Sequence, residues 1–165
     1  MQLNAAQRGY LLVGQVIVPA VINLVLNGAI GFAMFRGASE VPLLGSQSIV
    51  GDTLGTCFFL PAITCLIVTP IVRGHVKKGT AEPMRGALPR WLAAFRRGLV
   101  PRALALGLAV VVLVGGLVLA LFGVLGVESL PFAPFLTFKA VFAGLLGGCV
   151  TPLIALLALA DRPAP

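Results

Sequence analysis

The chain has 165 residues, of which 59% are hydrophobic and only 10% are charged, and its mean hydropathy is +1.07. Soluble domains are about half apolar and about a quarter charged, so this composition excludes an ordinary soluble fold and predicts an integral membrane protein. The formal net charge of +7 would suggest nucleic acid as the partner of a soluble protein. In a membrane protein the same charge favours the anionic surface of the bilayer, so we expect no nucleic-acid partner.

The first predicted span covers residues 11–35 and carries a stripe of polar or small residues at steps of four. The stripe consists of Gln15, Pro19, Asn23, Asn27 and Gly31. An amide that faced lipid would leave its donors and acceptors unpaired, so the stripe should face protein or water. It would line a path for a solute or ion, or else form hydrogen bonds between helices. The apolar run of the first span is longer than the core of a signal peptide, so we expect an uncleaved span.

The second predicted span covers residues 49–72 and has a recognisable helix start. Ser48 can cap it, and Asp52 in the first turn suits the helix dipole. Thr56 and Thr64 are further candidates for lining a path. Such hydroxyls can also satisfy carbonyl groups that prolines free within a membrane helix.

The loop of residues 73–102 holds eight of the twelve Lys and Arg residues. Loops that are rich in Lys and Arg stay in the cytoplasm, so both termini should also be cytoplasmic and the two shorter loops should lie outside. This asymmetry is typical of a bacterial inner membrane protein. The loop should also bind anionic lipid headgroups.

Part of this basic loop has the pattern of an amphipathic helix on the membrane surface, with Pro89 at its start and Pro101 at its end. Leu88, Leu92, Phe95 and Leu99 recur at helical spacing, and Trp91 adjoins them. The expected headgroup-binding residues are Arg90, Trp91, Arg96 and Arg97. The alternative is a solvated basic linker.

The third and fourth predicted spans cover residues 103–125 and 135–160, and both contain glycines at close-packing spacing. Lys139 in the fourth span and Asp52 in the second should lie at similar depth near the outer surface. We therefore expect an ion pair between them. Each charge could also act alone, Asp52 on the helix dipole and Lys139 by extending to the interface.

The sequence as a whole predicts one all-α domain over residues 1–165, with four transmembrane helices and an amphipathic interfacial helix. It carries no CxxC pair, no His pair for a metal and no catalytic or cofactor motif, so we expect a non-enzymatic protein without metal or cofactor. Two function classes remain. The preferred one is an accessory or scaffolding subunit that binds other membrane components and anionic lipid. The other is a small oligomeric transporter or channel subunit with a polar path along the first span.

Overall fold

The computed structural model describes residues 9–83, 90–95 and 98–161, and within these ranges the chain forms four long helices. The helices are α1 (residues 10–35), α2 (Ile49–Lys77), a short α3 (Arg90–Ala93), α4 (Leu99–Val124) and α5 (Phe132–Leu159). All except α3 are long and apolar enough to cross a membrane. The prediction of a mostly helical protein with four such helices is confirmed.

The prolines near helix ends explain most differences between the predicted and observed bounds. Pro101 and Pro134 lie in the first turns of α4 and α5, so these helices begin earlier than predicted. The first turn needs no intrahelical bond from the backbone N–H, which proline lacks. The prediction that Pro101 ends a helix is therefore wrong. The predicted cap of α2 is confirmed, since Ser48 Oγ accepts a hydrogen bond of 3.2 Å from Gly51 N.

Two of the long helices contain π-helical segments, which the sequence analysis did not predict. One covers Tyr10–Ile17 at the start of α1, and the other covers Val111–Gly115 within α4. At the end of the first segment the Val18 amide donates to the carbonyl of Val13, five residues earlier. Pro19 follows as the second residue of the α-helical part.

The long helices pack in the order α1, α5, α2, α4. The inner two, α2 and α5, supply most of the buried residues, whereas α1 and α4 lie on the outside. In the most apolar window of α1 only 6% of the residues are buried, against 56% in α5. Because α1 packs on α5 rather than along α2, a groove runs between α1 and α2.

Two short strands join the loops at one end of the helices. β1 (Glu40–Pro42) pairs with β2 (Ser129–Pro131) in an antiparallel register that sets Val41 opposite Leu130. Both segments were predicted as loops, because three-residue strands carry no periodic signal. We call this the strand end of the protein. The opposite end, which carries the basic loop and Asp161, is the basic end.

The predicted interfacial helix is not confirmed. The described part of the basic loop forms only α3, and Leu99 belongs to α4. Leu92 is buried in the core near the basic end, and Phe95 packs against the same cluster, so these two side chains face protein. Leu88 and Pro89 lie outside the described residues.

Candidate functional site: a polar groove

A cavity of about 420 Å³ lies between α1 and α2, with one residue of α5 in its lining. Six polar residues line it: Asn23, Asn27, Asp52, Thr56, Thr64 and Lys139. Apolar residues of α1 and α2, such as Leu26, Ile30, Phe59 and Ile63, complete the walls. We call this cavity the polar groove. Its volume is within the range of ~300–1,000 Å³ that is usual for small-molecule sites.

The polar groove brings together almost all of the predicted polar candidates from three helices. Gln15 is the exception: it is buried in the π-helical start of α1 and does not line the groove. Steps of four along α1 and α2 place successive side chains on one face of each helix. Both polar faces are therefore turned toward the same cavity.

The polar groups are spread along the length of the groove. At 1.5 Å per residue from the strand end, Asp52 lies about 5 Å deep, Thr56 and Asn27 about 10–12 Å, and Asn23 and Thr64 about 18–22 Å. They form a ladder of roughly 18 Å, more than half the thickness of a hydrocarbon core of ~30 Å. A solute that followed this ladder would meet a polar group about every turn.

Each of the two asparagines uses one of its two amide N–H groups within α1. Asn23 Nδ2 donates to the carbonyl of Pro19 at 2.9 Å, and Asn27 Nδ2 donates to the carbonyl of Asn23 at 3.0 Å. Among the described residues, neither amide donates to another helix, and neither amide oxygen accepts a hydrogen bond. Within the described residues, these two amides therefore form no hydrogen bond between helices.

Thr56 and Thr64 on the facing wall also retain hydrogen-bonding capacity. Within the described part of the chain, neither hydroxyl group forms a hydrogen bond. Other threonines do bond their own helices, as Thr151 does to the carbonyl of Gly147 at 2.7 Å. The groove thus holds two hydroxyls, two amide oxygens and two amide N–H groups that form no hydrogen bond within the described part of the chain.

The charged end of the groove is an ion pair between Lys139 and Asp52. Lys139 Nζ donates to Asp52 Oδ1, which joins α5 to α2. The side chains are 3% and 9% exposed, so the pair is buried. The stem of Lys139 lies against Gly31 of α1, where a built Cβ would be only 2.6 Å from the lysine Cδ. A larger residue than glycine at position 31 would therefore displace the lysine.

A second charged cluster lies at the basic end and was missed by the sequence analysis. Asp161 accepts hydrogen bonds of 2.7 Å from Arg73 Nη2 and of 2.7 Å from Arg102 Nη2. Burial would raise the pKa of Asp161, but the hydrogen bonds from Arg102 and Arg73 outweigh it and lower the pKa. The cluster ties the end of α5 to α2 and α4. No local pattern in the sequence identifies a contact across so many residues.

The predicted headgroup-binding residues are only partly described. Arg90 is exposed at the start of α3, and Trp91 is 59% exposed. Arg96 and Arg97 lie outside the described residues. The described residues include no group of three or more His, Cys, Asp or Glu side chains that could hold a metal ion.

Comparisons of this chain with protein-family models, with curated proteins and with solved structures gave no match. The functional argument therefore rests on the geometry of the groove and on the distribution of charge.

Proposed function

We propose that this chain is an integral membrane protein of a bacterial inner membrane, with both termini and the basic loop in the cytoplasm. Four long apolar helices support insertion. The concentration of Lys and Arg between Arg73 and Arg102 supports the orientation. The pairing of β1 with β2 requires the two short loops to lie on the same side, which agrees with four spans and is compatible with either orientation.

Within the membrane, we propose that the protein is a small transporter or channel subunit whose polar groove forms one wall of a solute path. The observation that carries this proposal is the convergence of six polar residues from three helices on one cavity. Polar side chains at membrane depth usually face protein or water, because exposure to lipid leaves their hydrogen-bonding groups unpaired. Here four of these residues retain unused hydrogen-bonding capacity: Asn23, Asn27, Thr56 and Thr64.

The open side of the groove suggests how the path is completed. Since α1 packs on α5 and not along α2, the groove has no fourth wall within the described residues. A second protomer against α1 and α2 would complete the path, in keeping with an oligomeric transporter or channel.

Asn27→Leu tests the proposal with the least disturbance of packing, because Asn23 lies against Gly147 whereas Asn27 lines the open groove. We expect Asn27→Leu to insert and elute normally but to lose most of the solute flux of wild-type proteoliposomes. Asn27→Gln, which keeps an amide, is the matched control and should retain more flux. A variant that loses folding together with flux would support a purely structural role for the amide. Asn23→Leu should lose flux as well, with a larger cost to packing.

A second candidate function is an accessory or scaffolding subunit that binds other membrane proteins and anionic lipid. The broad apolar surfaces of α1 and α4 favour it, since side chains such as Val112 and Leu117 are exposed. So do the exposed Arg90 and Trp91 of the basic loop. Native mass spectrometry from nanodiscs separates the two functions. A homo-oligomer supports the path, whereas a fixed complex with a different membrane protein supports the accessory role. Neither function involves covalent catalysis.

A further inference from the structure

We infer that the solute accepted by the polar groove is uncharged and rich in hydroxyl groups, a small polyol being the simplest example. This inference rests on the proposed path. It concerns which of the solute's interactions with water the lining can replace when the solute enters the groove. It follows from the charge balance of the lining and from the kind of hydrogen-bonding capacity that remains unused.

The charge balance argues against ions. Among the described residues, the charged ones in the lining are Asp52 and Lys139, which neutralise each other in a buried pair. Beyond that pair, the deeper polar residues of the groove, Asn23 and Thr64, carry no charge. An ion that passed them would lose its hydration without meeting an opposite charge, which costs far more than desolvating a neutral polar group.

The hydrogen-bonding capacity favours a solute that can donate as well as accept. Each of the Asn23 and Asn27 amides donates one N–H to the α1 backbone, which leaves its oxygen to accept and its second N–H to donate. The hydroxyls of Thr56 and Thr64 can donate or accept. A hydroxyl group matches both kinds of partner, and several hydroxyls on one short chain could bond to several rungs of the ladder together.

The apolar walls fit the same class of solute. Leu26, Ile30 and Ile63 lie among the polar residues, so a solute in the groove meets a hydrocarbon surface beside each polar group. A polyol presents C–H groups between its hydroxyls, which such a surface can contact.

The test uses purified protein in liposomes and the four-carbon polyol erythritol as the probe. Stopped-flow light scattering after an osmotic step measures erythritol entry, and a potential-sensitive dye measures the flux of potassium and chloride in the same preparation. We expect erythritol to enter at least fivefold faster than in protein-free liposomes, with no increase in ion flux.

Variants of one threonine test whether erythritol crosses the membrane along the polar groove. Thr56→Val keeps the shape of the side chain but removes the hydroxyl, and should lower erythritol entry at least threefold. Thr56→Ser keeps the hydroxyl and should retain entry. Thr137→Val is the matched control outside the polar groove, since Thr137 bonds to the carbonyl of Ala133 and lines a different cavity.

Each contrary result has a distinct meaning. Ion flux without erythritol entry would overturn the solute class and leave the path intact. Erythritol entry that Thr56→Val leaves unchanged would also overturn the inference, because the polyol would then cross elsewhere. Protein that inserts correctly but carries neither erythritol nor ions would overturn both the inference and the proposed path.

Discussion

Gly147 of α5 lies directly against Asn23 of α1: a Cβ built on Gly147 would be 2.6 Å from Asn23 Nδ2 and 3.0 Å from Asn23 Cβ. Gly144 and Gly148 meet α1 in the same way, against the carbonyls of Ala20 and Val16. The close approach of α1 and α5 therefore depends on glycines, as is common where membrane helices pack. This contact also fixes the position of Asn23 in the wall of the groove.

Gly147→Ala should force α1 away from α5, because the added methyl group meets the base of the Asn23 side chain and not only its flexible tip. We expect a loss of stability of about 1–3 kcal/mol, which is usual for overpacking a close contact. Thermal unfolding in mild detergent measures it. Gly123→Ala is the matched control, since a Cβ there meets nothing within 4 Å. Equal stability of the two variants would contradict the packing described here.

Because Asp52 and Lys139 form a buried pair, removing either charge should destabilise the protein by leaving the other without its partner. Asp52→Asn or Lys139→Met alone would leave one buried charge without its partner, and such changes cost about 3–5 kcal/mol. The charge swap, Asp52→Lys with Lys139→Asp, should be more stable than the less stable single swap. A double swap without any rescue would show that the two charges act independently.

Asp161 should stabilise the basic end in a pH-dependent way. The pKa of Asp161 in the folded protein is lowered from the usual 3.8. Its contribution to the free energy of unfolding is therefore complete above pH 3.8 and is lost as the pH falls through the lower folded pKa. Asp161→Asn removes the carboxylate that faces Arg102, whose side chain is 1% exposed, and should cost about 3 kcal/mol at neutral pH. In acid unfolding curves the difference between wild type and Asp161→Asn should shrink below pH 3.8.

Arg73→Gln provides the contrast within the same cluster. The Arg73 side chain is 41% exposed, so solvent screens its pairing with Asp161. The loss of stability in Arg73→Gln should therefore stay within about 1 kcal/mol. A loss of stability as large as that of Asp161→Asn would contradict this screening of the Arg73 pair.

The proposed orientation predicts the behaviour of reporter fusions. Green fluorescent protein at the C-terminus should fluoresce, because it folds in the cytoplasm. Alkaline phosphatase inserted between β1 and α2, for example after Gly45, should be active, because it requires export. The same insert after Gly79 in the basic loop is the control and should be inactive. The reverse pattern of reporter activity would show that the topology is inverted.

Helix number and the main polar stripe could be predicted from the sequence, because both are local. A long apolar run signals a helix that can cross a membrane, and a step of four places residues such as Asn23 and Asn27 on one face. The pairing of Asp52 with Lys139 could also be proposed, since both residues lie close to helix ends and carry opposite charges.

Other features depend on contacts that no local pattern specifies. Asp161 looks like part of a polar tail, yet it joins Arg73 and Arg102 across 88 and 59 residues. The spacing of Leu92, Phe95 and Leu99 indicated a surface helix, but these side chains pack on the protein because α2, α4 and α5 offer them an apolar surface. That Asn23 and Asn27 bond to their own helix could not be predicted either, because an amide has the same sequence pattern whether it bonds within its helix or across to another.

Water access to the polar groove tests the central claim most directly. In a variant with Cys57, Cys65 and Cys149 changed to Ala, we would introduce Thr56→Cys and Thr64→Cys separately and measure their reaction with a membrane-impermeant thiol reagent. Thiols react as thiolates, which form in water and not in hydrocarbon. Leu117→Cys is the control, because Leu117 is 69% exposed on the outer surface of α4 and lies, like Thr56, about 10 Å from the strand end.

A groove that admits water predicts that both groove variants react at least tenfold faster than Leu117→Cys, and that erythritol slows their reaction. If Thr56→Cys and Thr64→Cys are as unreactive as Leu117→Cys, then the groove is dry and no solute path runs along it.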